Sequence, residues 1–206
     1  MSLPLPTETD LLWVNIGSSG LVLPGWENID RAPIPGAMLC DVRLGLPFRS
    51  RSARVVVASH VLEHLHPHTE LPKALREIHR ILTPGGTVRI AVPDLEVLLR
   101  CYMDGDWAPV ADSQKELDRY VGVGFDQMPA ALRLSAVAFG NASPNSAAYD
   151  GHHAVWDEAA MRWILERAGF IEIQRAAVGV SRDPELPKRY TDNWVAQSLI
   201  VEAAKA

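Results

Sequence analysis

The chain has 206 residues, of which 48% are hydrophobic, and carries a formal net charge of −5. That length suits one well-packed domain and is short for two, and the acidic balance removes any general attraction to nucleic acid or to an anionic membrane surface. Cys40 and Cys101 are too few for a disulfide framework or a cysteine zinc site, and no stretch reaches the ~18 apolar residues of a membrane span.

The opening MSLPLPTETD lacks a basic, apolar leader, so the expectation is a cytoplasmic protein folded as one domain over residues 1–206. The first apolar run, LLWVNIG (11–17), is continuous, as a strand buried on both faces of a parallel sheet should be. ENID (27–30) and AMLCDV (37–42) read as two further strands. Only nine residues, Ser18 to Trp26, join the first run to the second, fewer than the dozen or so of a helical parallel crossover. Either the crossover helix is missing or one of these strands is misread.

ARVVVAS (53–59) and TVRIAVPD (87–94) are again strand-like, the second with some alternation. Between them Leu71, Leu75, Ile78 and Leu82 recur at spacings of four, three and four, which predicts a helix stopped by Thr83-Pro84-Gly85-Gly86. Strand, helix and strand make a βαβ unit, right-handed in nearly every case. Residues 97–150 hold helix-compatible pieces, QKELDRY and PAALRLSAVAF, broken by Gly, Pro and Asn. An insertion of this kind after a sheet strand commonly forms a lid or an acceptor site. Asp157 then caps a helix whose Met161, Ile164, Leu165 and Ala168 share a face, with Gly169 as its stop. FIEIQRAAV (170–178) and WVAQSLIVEA (194–203) supply the last two strands.

Ligands of an open α/β sheet bind beyond the carboxyl ends of its strands, so the residues after each apolar run are the site candidates. After the first come Asn15, Gly17, Ser18, Ser19 and Gly20, where small residues let backbone amides approach a ligand. A plain tight turn has the same composition, and Ser19 at the second glycine position of GxGxxG disfavours a dinucleotide. Asp30 ends the second strand, where a carboxylate can accept from both hydroxyls of a ribose. Asp41 follows the third and can accept from an exocyclic amine.

After the fourth strand, His60-Val61-Leu62-Glu63-His64 fits the HxxEH pattern of the inverted zinc proteases. Pro67 arrives three residues past His64, which leaves too little helix for a rigid metal-binding face. A weak adventitious metal site among His60, His64, His66 and His68 is favoured over the protease. YDGHHAVWD (149–157) adds His152 and His153 beside an acid and a tyrosine, a grouping suited to general-base work near neutral pH.

Taken together, WVNIGSSG, ENID, CDVRLGLPF, VVVASHVLEHL, ALREIHRILTPGGTVRIAVPDL, HAVWDEAAMRWILERAGF and QSLIVEAAK resemble the class I S-adenosylmethionine-dependent methyltransferases. The likeness is strongest to a small bacterial branch of predicted methyltransferases akin to the type 11 group. It implies an α/β, Rossmann-like, seven-stranded, mostly parallel sheet with the last strand antiparallel, short helices in the N-terminal half and a helical insertion after strand five. It further implies S-adenosyl-L-methionine across the ends of the first four strands. Asn15, Gly17, Ser18, Ser19 and Gly20 would meet the methionine part, Asp30 the ribose, and Asp41 and Val42 the adenine. Ser59 and His60 would lie beside the methyl group, and SHVLEHL becomes a post-strand loop that requires no metal. Asn15 stands where the wider family has an acid, Ser19 where it has a glycine, and its helix after strand one is absent here, as in the small branch.

Methyl transfer from a sulfonium is an in-line displacement that needs no acid for the leaving group, and a base only when the acceptor is a hydroxyl or a protonated amine. His60 and His153 are the candidate bases, with Glu63 orienting the loop. The acidic chain points to a small-molecule or saccharide acceptor. The alternatives are a non-catalytic protein that binds S-adenosylmethionine or S-adenosylhomocysteine and, more remotely, an HxxEH zinc hydrolase.

Overall fold

The computed structural model describes residues 11–111, 124–140 and 151–206. Its strands are β1 (Leu12–Ile16), β2 (Glu27–Asp30), β3 (Met38–Leu39), β4 (Ala53–Ser59), β5 (Leu82–Pro93), β6 (Phe170–Arg175) and β7 (Ser198–Lys205). They form one sheet in the order β3-β2-β1-β4-β5-β7-β6. β1 to β5 pair in parallel, and β7 runs antiparallel to both of its neighbours. The sequence expectation of a mostly parallel seven-stranded sheet with an antiparallel last strand therefore stands. No helix among the described residues is long and apolar enough to cross a membrane.

Several boundaries move. β3 has two residues where AMLCDV suggested six: the Cys40 N–H makes one more ladder bond, to the Asp30 carbonyl, and the chain then turns, with the Leu44 N–H on the Asp41 carbonyl. β5 begins at Leu82, which pairs with Ala53 before a register shift absorbs the Thr83–Gly86 turn. β6 ends at Arg175 and carries a bulge at Glu172, whose φ is 51°. β7 starts at Ser198, since Val195–Gln197 make a single 3₁₀ turn entered through Trp194 at φ 52°.

Helix α1 (Leu71–Ile81) buries Leu71, Ala74, Leu75, Ile78 and Ile81 against the sheet. Each large apolar side chain buried this way stabilises by about 1.5–3 kcal/mol. Helix α2 (Leu95–Asp104) is capped by Asp94, whose carboxylate accepts from the Glu96 N–H at 2.9 Å. The insertion continues with α3 (Ala108–Ala111) and α4 (Ala130–Phe139), and its Leu98, Cys101, Trp107, Phe125 and Val137 pack as a small core of their own. PAALRLSAVAF is thus largely α4, whereas QKELDRY (114–120) lies outside the described residues. Helix α5 (Glu158–Arg167) starts at Asp157, which accepts from Ala160 N–H at 2.7 Å, and stops before Gly169 at φ 91°. A four-residue helix, α6, spans Leu186–Arg189.

The period-2 geometry of β1 and β4 sorts their residues onto two faces. Val14, Ile16, Val56 and Ala58 join α1 and α5 in the main core. Trp13, Val55 and Val57 face the other way, onto Leu23, Trp26, Leu186 and Tyr190. That second face is covered by loops and α6, because residues 17–26 contain no helix. The short parallel crossover is held by side chains instead. Asn15 Nδ2 donates to the Leu21 carbonyl (2.8 Å) and to Asn28 Oδ1 (3.0 Å), while Asn28 Nδ2 donates to the carbonyls of Leu23 and Trp26 at 2.9 and 3.0 Å. Both strands of the difficult connection were therefore read correctly, and the missing element is the helix.

Candidate functional site

A cleft of about 190 Å³ opens at the carboxyl ends of β1, β2 and β4. Its rim begins at Gly17, whose φ of 68° and position leave no room for a side chain. A Cβ there would stand 2.3 Å from Val61 Cγ2. Ser19 follows with φ 44° and donates its N–H to Asp30 Oδ2 at 2.8 Å, and the Ala32 N–H donates to Oδ1, also at 2.8 Å. An ionised carboxylate has about four lone-pair sites, so two backbone bonds fix the orientation of Asp30 and leave it further capacity to accept. Ile16, Ile34, Val42 and Leu65 supply apolar wall.

Asp41 lines the same cleft but is already held. Its carboxylate accepts from Arg43 Nε at 2.9 Å and Nη2 at 2.6 Å, and from the Arg43 N–H at 3.0 Å. Those bonds from Arg43 outweigh burial and keep the Asp41 carboxyl below its ordinary range. Arg43 also reaches Glu70, at 3.4 Å, so Asp41 and Arg43 present a joined polar edge.

His60 sits at the end of β4 with φ 54°, a left-handed conformation that costs a non-glycine residue strain and that collects at functional sites. Its Nδ1 lies 3.1 Å from Glu63 Oε1 and its Nε2 2.9 Å from Ser198 Oγ. Burial pushes the Glu63 carboxyl up, but the His60 hydrogen bond and the nearby histidine charges more than offset it, leaving the group below its ordinary range. Glu63 is therefore an acceptor, and Ser198 donates its hydroxyl hydrogen to the Trp194 carbonyl at 2.8 Å. Both ring nitrogens of His60 are thus engaged, Nδ1 by Glu63 and Nε2 by Ser198. This arrangement suits orientation of the loop better than the general-base role expected from sequence.

The HxxEH reading fails on geometry. The helical turn is Leu62–His64, three residues long, and His60 stands outside it, so the two histidines share no helix face. Of the other expected residues, Asn15 is buried in the loop clasp, and Gly20 is exposed with open space around its Cα. Ser18 turns its hydroxyl into the interior, where it finds no partner. Ser59 Oγ pairs with Asn193 Oδ1 at 2.7 Å. None of these four lines the cleft. His153 is also outside it; its backbone N–H donates to the Glu63 carbonyl at 2.7 Å, and its exposed ring lies 6.1 Å from that of His66. Cleft residues that sequence reasoning missed include Ile34, Cys40, Arg43 and Val61. Arg43 alone had a local signal, two residues past a strand-end acid; the others arrive through tertiary packing.

A family model described as a methyltransferase domain matches residues 27–174. The chain belongs to the methyltransferase domain family. No curated protein matches it. A SAM-dependent methyltransferase from Thermotoga maritima superposes with TM-score 0.51 at 14% identity, over 95% of this chain and 82% of that one. A SAM-dependent methyltransferase from Archaeoglobus fulgidus gives the same score and identity over 95% and 86%. At these identities the likeness is one of fold, and it is the seven-stranded fold described above. In this methyltransferase domain the cleft lies where ligands of open α/β sheets bind, past the carboxyl ends of the strands.

Proposed function

We propose that this methyltransferase takes S-adenosylmethionine as donor in the cleft beside β1, β2 and β4, and passes its methyl group to a small-molecule or saccharide acceptor. Asp30 carries the reading. Its carboxylate ends β2 on the cleft wall, is fixed by the N–H groups of Ser19 and Ala32, and keeps acceptor capacity for a ribose diol. The residues fit the rest of the donor as well. Gly17 and Ser19 hold the methionine end, Ile16, Ile34 and Val42 face the apolar side of the adenine, and the Asp41–Arg43 pair meets its polar edge.

The donor, when bound, supplies a methyl group on a sulfonium, which leaves without protonation. What the chain contributes is alignment and exclusion of water, which can lower the barrier by several kcal/mol. His60 fixes the loop at the end of β4 through Glu63 and Ser198, and Asn15 keeps the β1–β2 loop in shape from behind. The insertion over residues 97–150 is assigned to the acceptor side. The acidic chain favours a neutral small molecule or saccharide over nucleic acid.

Thermal unfolding with S-adenosylmethionine, S-adenosylhomocysteine and NAD tests the assignment. At a hundredfold its dissociation constant, S-adenosylhomocysteine should add about 2.7 kcal/mol, or roughly 5–10 °C for a chain of this size. Asp30→Ala should weaken it about 10- to 100-fold, the worth of a charge-assisted hydrogen bond. Stabilisation by NAD, or none by either sulfur ligand, rejects the reading.

A further inference from the structure

Beside the cleft, three groups from two distant segments converge without any role in holding the donor. Glu63 and His64 come from the turn after β4, and His152 from the chain entering α5. One candidate ligand atom from each lies within 4.8 Å of the others. The rings of His64 and His152 meet edge to face, with centroids 4.8 Å apart.

Glu63 is 1% exposed. Oε1 faces His60, but Oε2 is buried with no hydrogen-bond partner. Leaving a buried carboxylate oxygen unpaired is expensive, and such atoms in folded proteins call for a bound water, ion or ligand. Each histidine has one ring nitrogen beside a backbone carbonyl, a contact that commonly orients metal-binding histidines. His64 Nδ1 lies 2.8 Å from the Gly151 carbonyl, and His152 Nδ1 3.3 Å from that of Ala138. Gly140 lets the second ring in, since a Cβ there would come within 3.0 Å of His152 Cδ2.

We infer that Glu63, His64 and His152 form a binding site for a zinc-type divalent cation at the edge of the cleft. Two imidazoles and a carboxylate suit zinc and its neighbours, whereas magnesium demands oxygen ligands in octahedral array. Bond lengths of about 2.0–2.2 Å require ligand atoms roughly 3.4 Å apart in a tetrahedron, so small side-chain rotations close the site. Three protein ligands leave a coordination position for an oxygen or nitrogen of an acceptor, and His64 lines the cleft assigned to the donor, so that position stands at its edge. The pair of histidines differs from the HxxEH pair: His60 is engaged elsewhere, and its place is taken by His152.

The test uses the full chain stripped with a chelator, then titrated with Zn²⁺, Co²⁺ and Mg²⁺ by equilibrium dialysis and visible absorption. One Zn²⁺ per chain is expected, with the d–d bands of four- or five-coordinate Co²⁺ and no competition from Mg²⁺. Removing a group that only orients a ligand costs 10- to 100-fold, so His152→Ala and Glu63→Gln should each weaken Zn²⁺ by about 100-fold or more, and Gly140→Ala by less. His153→Ala should leave binding unchanged. If the wild type takes up no Zn²⁺, or if His153→Ala abolishes uptake while His152→Ala spares it, the exposed His66, His68 and His153 group is at best a surface chelator and the inference is wrong. Parallel titration with S-adenosylhomocysteine separates this result from the donor assignment, because zinc uptake does not require the donor and donor binding does not require zinc.

Discussion

Gly17 and Val61 lie just past the ends of two neighbouring strands, and no side chain fits between them. Alanine at 17 meets two penalties. The left-handed φ of 68° disfavours any Cβ, and that Cβ would overlap Val61 Cγ2 at 2.3 Å. Backbone strain of about 1 kcal/mol and overpacking of about 1–3 kcal/mol predict that Gly17→Ala loses roughly 2–4 kcal/mol in urea unfolding. Val61→Ala alone should cost about 1 kcal/mol, since the side chain is only half-buried. In the double variant the overlap disappears, so its loss should fall short of the sum by about 1–3 kcal/mol. Simple additivity would mean that Gly17 is there for some reason other than Val61. Residues such as these show which parts of the site a sequence can disclose. Gly17 and Asp30 stand at strand ends and Asp41 two residues past one, and a strand end can be read from an apolar run that stops. Val61 against Gly17, or His152 against Glu63, depends on contacts 44 and 89 residues apart in the chain, for which no local pattern exists.

β5 shows the same division between local and distant information. Its alternation is visible in the sequence: Val88, Ile90 and Val92 are apolar and enter the main core, while Thr87 and Arg89 project from the other face. What the alternation could not disclose is that this polar face is covered. Residues 177–192 fold over it, and Arg89, with only 3% of its side chain exposed, becomes their anchor. All five of its N–H groups are used, on Asp192 (2.8 and 2.5 Å), Glu202 (2.7 Å) and the carbonyls of Val180 and Ala177 (both 3.0 Å). Glu202 stands directly across from Arg89 on β7, and its second oxygen accepts the Arg182 N–H. A Lys could not replace this planar fork. Arg89→Met strands two buried carboxylates and should cost about 3–5 kcal/mol, whereas an Arg89→Met, Asp192→Leu, Glu202→Leu triple variant should recover most of that loss. Urea midpoints measure both; a single variant within about 1 kcal/mol of wild type would show that the carboxylates are solvated after all. The missing helix after β1 has the same origin. The sequence announced a connection too short for a helix, but Asn15 and Asn28 could be recognised as its clasp only once their side chains were seen to meet.

The titrating groups of the whole chain combine into one expectation, an acid-sensitive fold. Asp41, held by Arg43, and Glu77, held by Arg80 and the Leu46 N–H, have carboxyls below their ordinary range, as does the buried Glu63. A carboxyl with a depressed folded pKa contributes stability that is present above its unfolded pKa and is lost as pH falls through the folded value. His152 and His79 are depressed for a different reason, burial, helped at His79 by the Lys205 charge. Because the unfolded chain protonates these two rings near pH 6.5 and the folded chain does so only at lower pH, stability falls with acid over that interval as well. The opposing effect is relief of self-repulsion as the net charge of −5 is titrated. Spread over 206 residues and screened beyond about 10 Å at 0.1 M salt, that relief is weaker than the loss of buried or hydrogen-bonded partners. The urea midpoint, measured with chelator present, should therefore drop between pH 7 and pH 5 and drop faster below pH 5, where the carboxylates join. Replacing both rings, as His79→Gln with His152→Asn, should flatten the first interval and leave the second. A midpoint that holds level or rises from pH 7 to pH 5 in wild type would mean that both rings already titrate in the fold as they do in the open chain.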